Sequence, residues 1–211
     1  MTAPDFTAAE FAAAFHELLR WRRDVRRFRK DAVPEENIAA LLEILPLCPS
    51  VGLSQPWRFV RLRSEAARAA MRDNFARCNE QALAGYCGED AALYAGLKLS
   101  GLDDAPVQFA VFCDRETVHG RGLGRRTMPE AADHSVAAAI HTLWLAARIA
   151  GIGMGWVSIL DPLAVATALD VPVGWKFIAL LCLGYPVEEH LDPELQRAGW
   201  EARKAECLFE R

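Results

Sequence analysis

The stretch LWLAARIAGIGMGWVSI, residues 143–159, decides the fold that we expect. Its first half ends an apolar helix and its second half has the pattern of a strand, so Gly151 and Gly153 would stop the helix and form a tight turn. A dinucleotide-binding glycine motif has the opposite order, with the strand before the glycines and the helix after them. We therefore interpret the glycines as a turn, whose bare backbone would also let a flat ligand approach closely.

The helix that leads into this turn is apolar over residues 135–152, but it is a poor membrane span. His141, Thr142 and Arg148 interrupt it. The segment also falls short of the about 20 apolar residues that are needed to cross a bilayer. A helix that is apolar on every side is otherwise buried. We predict a long central helix in the core, with no membrane partner, which could also form the seam of a homodimer.

Outward from this helix, helices and strands follow one another irregularly. Apolar runs predict strands near 57–63, 107–114 and 175–186. Helical patterns precede these strands and recur over about 64–83 and 90–102. Because this order is not a regular βαβ alternation, we predict an α+β fold, with a four- to five-stranded mixed sheet wrapped by helices around the central helix.

Length and composition favour one domain that spans residues 1–211. The formal net charge is −4, and this mild acidity argues against a nucleic-acid partner, which calls for a basic face. The N-terminus does not join a basic segment to an apolar one, so no secretory signal is expected. Six cysteines without a CxxC pair are typical of a reducing compartment. We therefore predict a cytoplasmic protein.

One segment is strongly basic although the chain as a whole is acidic. LLRWRRDVRRFRKDAVP, residues 18–34, holds seven cationic side chains from Arg20 to Lys30, and Asp24 is the one acidic side chain among them. The cations could simply stabilise the carboxyl end of a helix. Alternatively, arginines bind phosphate through paired hydrogen bonds, and an acid among them would stay ionised unless burial opposes this. The residues leave both interpretations open.

Two other kinds of site find little support in the sequence. His134 and His141 share a helix, but they are seven residues apart and no cysteine pair accompanies them, so we expect no metal site. Ser158, His141 and Asp24 could be combined into a catalytic triad. The chain lacks the GxSxG turn that presents the nucleophile in one large class of such hydrolases, so we disfavour this interpretation.

Three segments together resemble the FMN-dependent nitroreductase superfamily. They are WRRDVRRF (21–28), CPSVGLSQPWRF (48–59) and LWLAARIAGIGMGWVSI (143–159), and they keep the order of the family motifs over nearly the whole chain. The chain departs from the usual pattern at two positions, since Asp24 stands where the family has serine and Leu53 where it has asparagine.

These departures are similar to the flavin-fragmenting branch of that superfamily, as are Gly-Trp-Val-Ser at 155–158, LKLSGLDDAP at 97–106 and GWEAR at 199–203. The resemblance implies that reduced FMN and O2 are the substrates. The flavin would be broken down to 5,6-dimethylbenzimidazole, the lower ligand of cobalamin (vitamin B12), and erythrose 4-phosphate. It also implies a homodimer with flavin at the interface, and an NAD(P)H-flavin reductase as the transient supplier of reduced FMN.

The same resemblance assigns roles to individual residues. Asp24 would relay protons near the ribityl chain, and Ser158 would assist by a hydrogen bond or proton relay near the ring. Arginines would hold the phosphate and the polar edge of the flavin, with Arg203 ranked below the others because the spacing of the tail departs from the family. The segment around 90–102 would form a lid. The implied cofactor-binding residues are Arg22, Arg23, Asp24, Arg26, Pro49, Ser50, Leu53, Gly155, Trp156 and Arg203.

Two alternatives stay open on the same fold. One is an NAD(P)H-dependent nitroreductase, flavin reductase or dehalogenase, against which Asp24 and Leu53 count. The other is a flavin-binding or flavin-storage protein, which is not an enzyme. Oxidation of NAD(P)H would favour the first alternative, and FMN that survives reduction and reoxidation intact would favour the second.

Overall fold

A computed structural model describes residues 6–204 and 207–210. Within these residues one sheet has four strands in the order β1-β2-β4-β3. All three strand pairings are antiparallel. The strands are β1 (Trp57–Arg61), β2 (Val107–Asp114), β3 (Gly153–Val157) and β4 (Trp175–Gly184).

Helices cover both faces of this sheet. Alternate residues of β2 divide between two cores, because successive side chains of a strand point to opposite faces. Val111 packs in one core with residues of α2 and α5, and Phe112 packs in the other with residues of α3 and α6. The helices are α1 (Ala9–Trp21), α2 (Glu35–Leu42), α3 (Glu65–Leu83), α4 (Gly88–Ala95), α5 (Ala131–Ile149), α6 (Pro162–Ala168) and α7 (Glu194–Arg197).

The α+β class, the four strands and the wrapping helices confirm the sequence-based prediction, and the strand directions add a detail. Strands β2 and β3, which α5 connects, both pair antiparallel with β4, so they run parallel to each other. Strand β4 lies between them, so each strand has only antiparallel neighbours in the sheet. Among the residues that the structure describes, the one parallel pairing is an isolated bridge between Asp24 and Met154, outside the ladders of the sheet.

The predicted turn between helix and strand is confirmed. Helix α5 ends at Ile149, Gly151 adopts a φ of 70° and β3 begins at Gly153. The amide of Ile152 donates to the carbonyl of Ala147 at 2.8 Å, which closes the end of the helix. A positive φ is the conformation for which glycine is favoured at a helix stop.

Helix α5 is central, but a single chain does not bury it on every side. His134, Ala138, His141 and Ile149 form an exposed stripe along it. The prediction of an all-round buried helix is therefore met on one side only. No helix in the described ranges combines the length and apolarity needed for a membrane span. The buried residues of α5 are Ala132, Ser135, Val136, Ala139, Ile140, Leu143, Trp144 and Ala147.

The helix expected over 90–102 was wrong in its second half. Helix α4 ends at Ala95, and an irregular segment then crosses the arginine-rich stretch. A Cβ atom at Gly101 would collide with the ring of Phe28, so this segment packs closer than a helix with side chains would allow. Arg26 Nη1 also donates to the carbonyl of Lys98 at 2.8 Å, which holds the segment in place.

Candidate active site

The arginine-rich stretch leaves α1 and runs beside the edge strand β3. Val25 N donates to Met154 O at 3.1 Å, and Asp24 forms the parallel bridge with Met154. A Cβ atom at position 155 would collide with the carbonyl oxygen of Val25. The space that a side chain at position 155 would need is therefore occupied by the backbone of Val25. The resemblance also assigned Gly155 to the cofactor, and this assignment stays a prediction.

The carboxylate of Asp24 is held at both oxygens. Oδ1 accepts from Trp156 N at 2.9 Å, and Oδ2 accepts from Arg26 Nε at 2.7 Å. Its side chain is 29 % exposed, against 12 % for Arg26. A carboxylate offers about four acceptor positions, so these two bonds orient Asp24 and leave capacity for further donors. The arrangement is that of a fixed acid at the margin of a cleft.

Arg26 is engaged with the protein itself. Its Nε holds Asp24 and its Nη1 holds the carbonyl of Lys98. The sequence assigned Arg26 to the cofactor, whereas these two bonds give it the additional task of fixing Asp24 against the 97–102 segment. Nothing in the linear sequence links positions 26 and 98.

Arg22 and Arg23 lie beside two stacked indoles. The guanidinium of Arg22 is 4.8 Å from the ring centroid of Trp144, and Trp144 Nε1 donates to the carbonyl of Arg23 at 3.2 Å. Trp144 stacks on Trp156 with centroids 6.5 Å apart. Sequence reasoning missed Trp144, although it lies within the stretch that decides the fold.

Three guanidinium groups converge here. Burial lowers the pKa of Arg22; Asp24 acts in the opposite direction and Arg203 lowers it further. Burial also lowers the pKa of Arg23, and repulsion from Arg203 and Arg22 adds to this. The charge of Arg203 in the tail thus acts on both other arginines, and its part in phosphate binding stays a prediction. Like charges held together in a partly buried place favour a bound anion.

The helix-end interpretation of the cluster holds in part. Arg23 Nε donates to Arg20 O at 3.0 Å and Arg23 Nη2 to Leu19 O at 3.2 Å, so this side chain caps the last carbonyls of α1. Arg27 donates to Glu194 of α7 at 2.6 Å and to Glu188 at 3.3 Å.

The second motif lies elsewhere in the chain. Ser50 Oγ accepts from Gln55 N, and the neighbouring Val51 N donates to Ser135 Oγ at 3.0 Å, near the start of α5. Ser135 and Trp144 are nine positions apart on this helix, which corresponds to about 14 Å along its axis. The structure therefore does not bring Pro49, Ser50 and Leu53 to the arginine cluster within one chain.

Three of the remaining predicted residues lie in β3 or directly after it. Gly155 and Trp156 belong to the strand, and Ser158 is exposed one residue beyond its end. Leu53 is also exposed, at a φ of 56°. One group of predicted residues thus gathers around β3 and the arginines, and a second group stays with the 49–53 turn. The first group is Arg22, Arg23, Asp24, Arg26, Gly155, Trp156 and Arg203.

Comparison with known proteins gives matches over most or all of the chain. The model of the nitroreductase family matches residues 19–185. A 5,6-dimethylbenzimidazole synthase of Rhodospirillum rubrum is 53 % identical over 210 residues, covering 100 % of this chain and 99 % of that protein. A protein of the same name from Rhodobacter capsulatus is 49 % identical over 188 residues, covering 89 % of this chain and 91 % of that protein.

Among solved structures, an oxidised iodotyrosine deiodinase bound to FMN and 3-iodo-L-tyrosine has the same fold. Its TM-score is 0.71 at 22 % identity, and the match covers 93 % of this chain and 97 % of that one. The family match runs from the last turn of α1 to the end of β4 and includes most of the arginine-rich stretch, the 49–53 turn and the helix–turn–strand unit. The chain belongs to the nitroreductase family.

Proposed function

We propose that this chain catalyses the oxygen-dependent fragmentation of reduced FMN to 5,6-dimethylbenzimidazole and erythrose 4-phosphate, the step that supplies the lower ligand of cobalamin. The observation that carries the proposal is the carboxylate of Asp24, oriented by Trp156 N and Arg26 beside a cluster of three arginines. Relatives that are 53 % and 49 % identical bear the name of the corresponding synthase.

The described residues fit a phosphate-bearing ligand such as FMN. Arg22, Arg23 and Arg203 offer guanidinium donors with no carboxylate oxygen within ion-pair distance in the described part of the chain. Guanidinium groups bind phosphate with paired, charge-assisted hydrogen bonds. Reduced FMN, when bound, would supply the electrons that dioxygen takes up and the carbon skeleton of both products.

The role of Asp24 follows from its bonds. Cleavage of carbon–carbon and carbon–nitrogen bonds requires several proton transfers, and a positioned carboxylate is suited to relay them. Trp156 N and Arg26 occupy one acceptor position on each oxygen, so the remaining positions of Asp24 can face a ligand hydroxyl or a proton. We assign Ser158, exposed at the end of β3, the assisting hydrogen bond.

Helix α4 and the 97–102 segment are proposed to keep water from the reaction. The segment is tied to the acid through Arg26, which contacts both Asp24 and the carbonyl of Lys98. A displaced lid would therefore also release the donor that orients Asp24. Exclusion of water protects reactive intermediates from side reactions.

We also propose a homodimer in which the 49–53 turn of one subunit completes the arginine site of the other. The two motifs are separated along α5 within one chain, and α5 leaves an exposed stripe that contains Ile149. A mixing experiment tests this directly. Asp24→Asn and Leu53→Arg chains, each inactive alone, should regain about a quarter of the sites when mixed in equal amounts and allowed to exchange subunits. Absence of recovery despite proven exchange would contradict a shared site.

We propose that reduced FMN comes from another protein, an NAD(P)H-flavin reductase that acts as a transient partner. All six cysteines are free thiols, which fits a reaction in the cytoplasm. An assay with chemically reduced FMN does not need the reductase, so it separates the reaction of this chain from the supply of its substrate.

The decisive experiment is a product analysis. FMN is reduced chemically with the purified protein present, air is admitted, and the mixture is examined by mass spectrometry beside a sample without protein. Formation of 5,6-dimethylbenzimidazole together with erythrose 4-phosphate supports the proposal. Intact FMN combined with NAD(P)H oxidation would indicate a nitroreductase, flavin reductase or dehalogenase. Intact FMN without NAD(P)H oxidation would indicate a flavin-binding protein.

A further inference from the structure

The tail after β4 is attached to the arginine-rich stretch. Glu194, the first residue of α7, accepts from Arg27 Nη1 at 2.6 Å. After the helix, Trp200 N donates to Leu195 O at 2.9 Å and Gly199 adopts a φ of 77°. These contacts turn the chain sharply and fix the point from which the indole of Trp200 projects.

The indole of Trp200 joins two tyrosines of the α3–α4 hairpin. Its ring lies 5.6 Å from that of Tyr86 and 6.0 Å from that of Tyr94, in edge-to-face arrangements. Tyr86 and Tyr94 stack on each other at 4.8 Å, and the hydroxyl of Tyr94 donates to Asn79 Oδ1 at 2.8 Å. We call Tyr86, Tyr94 and Trp200 the aromatic clasp. Such aromatic pairs stabilise a contact by about 0.5–1.5 kcal/mol each beyond the burial of their surface.

Arg203 follows the clasp by three positions, and its charge lowers the pKa of both Arg22 and Arg23. No carboxylate oxygen in the described ranges lies within ion-pair distance of these three arginines. Asp24 attracts Arg22 and Asp192 attracts Arg23 from further away, while repulsion between Arg203 and both arginines opposes the docked tail. The aromatic clasp and the Arg27–Glu194 ion pair stabilise the docked tail. A bound anion would remove the repulsion and so strengthen the docking of the tail.

We propose that Trp200 is a positioning residue: the aromatic clasp sets Arg203 against Arg22 and Arg23, so that phosphate binding and the docking of the α3–α4 hairpin are coupled. The coupling is reciprocal, since an anion that stabilises the docked tail is itself bound more tightly when the tail is docked. The phosphate group of the flavin would thereby close the lid that covers the rest of the same molecule. This inference rests on the proposed function for the identity of the phosphate-bearing ligand.

The test compares two flavins that differ only in the phosphate. Affinities for oxidised FMN and for riboflavin are measured by fluorescence titration for the wild type and for Trp200→Ala. We expect FMN affinity to fall about tenfold or more, because the variant loses charge-assisted bonds from Arg203. Riboflavin affinity should stay the same. Arg203→Ala should reproduce the loss, and the double variant should lose no more than either single one.

Two further variants separate positioning from general damage. Trp200→Phe keeps an aromatic ring in the clasp and should retain most of the FMN affinity. Phe209→Ala changes an exposed aromatic residue of the same tail outside the clasp and should alter neither affinity. Hydrogen exchange distinguishes a positioning role of Trp200 from a purely structural one. Inorganic phosphate should slow the exchange of α4 amides in the wild type and leave it unchanged in Trp200→Ala.

The proposal is overturned if Trp200→Ala lowers FMN and riboflavin affinity equally, if it changes neither, or if its effect adds fully to that of Arg203→Ala. All these measurements use oxidised flavin and form no product. They can therefore succeed even if FMN is not fragmented, and product formation can be observed even if the clasp has no part in phosphate binding.

Discussion

Asp24 and Asp133 are both acids set among cations, yet they are held very differently. Asp133, in the first turn of α5, accepts from Arg115 Nε at 3.2 Å, again from Arg115 Nη2, and from Lys176 Nζ at 2.7 Å. Its side chain is 13 % exposed. Asp24 accepts from one guanidinium and one backbone amide, and more than twice that fraction of its side chain is exposed.

The titration of Asp133 reflects these bonds. Burial acts to raise the pKa of Asp133 and is the largest single influence, but the hydrogen bonds from Arg115 and Lys176 together outweigh it and hold the pKa below its usual value. Its place at the start of α5 favours the anion as well. Asp133 thus ties the end of β2, α5 and β4 together as a permanent anion. The contrast teaches that unused hydrogen-bonding capacity, more than the number of nearby cations, marks the acid that can do chemistry.

The variants Asp24→Asn and Asp133→Asn test most directly whether Asp24 and Asp133 have different roles. Asp24→Asn should lower the rate of 5,6-dimethylbenzimidazole formation about 10²–10⁴-fold, since the amide cannot relay a proton. It should not weaken FMN binding, because the arginines remain. Asp133→Asn should keep most of the rate. Product quantification by mass spectrometry and FMN titration measure both effects, and a similar loss of rate in the two variants would contradict the assigned roles.

A backbone change can disturb Asp24 without altering any charge. Gly155→Ala places a Cβ atom into the carbonyl of Val25, so the segment that carries Asp24 must move. We expect a loss of about 3 kcal/mol in the free energy of unfolding, near the upper end for overpacking. Urea denaturation measures it. Gly96→Ala is the matched control, because a Cβ there meets only ordinary contacts and should cost little; an equally mild Gly155→Ala would refute the close approach.

Removal of the Asp133 carboxylate should reduce stability more than removal of the Asp24 carboxylate. In Asp133→Ala, Arg115 and Lys176 lose their shared partner, which should cost about 1–2 kcal/mol after allowance for the solvent exposure of both cations. Asp24→Ala frees one amide and one guanidinium nitrogen, but Arg26 keeps its bond to the carbonyl of Lys98, so this variant should cost less. Chemical denaturation of both variants gives the order, and the reverse order would break the comparison.

The smallest expected effect concerns acid stability. The pKa of Asp133 is lower in the folded chain than its ordinary value of 3.8, so its contribution is present above that value and is lost as the pH falls through the folded-state pKa. Between about pH 5 and pH 3 the wild type should therefore lose more stability than Asp133→Asn. Thermal melting across this range checks the difference, and parallel curves would show that Asp133 does not titrate with folding.

Local patterns in the sequence predicted much of the fold. Strand β2 occupies the expected residues 107–114, and α3 ends at Leu83 as the helical pattern indicated. Both elements depend on side-chain periodicity over a few residues, which a single sequence displays. The end of α4 could not be predicted in this way, because the contact of Gly101 with Phe28 decides it.

The candidate site was predictable in its residue types and incomplete in its arrangement. The arginine cluster with Asp24 stood out as a local excess of charge. The bond from Arg26 to the carbonyl of Lys98 joins residues 72 positions apart, and no local pattern signals such a pair. The partners of Asp133 are likewise remote in sequence. The sequence alone therefore does not distinguish a carboxylate with several hydrogen-bond donors around it from one with unused acceptor positions.

The position of Val25 beside Met154 has a consequence for how the chain behaves in concentrated solution. Strand β3 is an edge of the sheet, and an open edge offers a row of unpaired amides and carbonyls to other chains. The bond from Val25 to Met154 occupies part of that row. The segment that carries the arginines therefore also protects the sheet edge from pairing with other chains. Substitutions that displace this segment should lower the solubility of the protein as well as its affinity for the ligand.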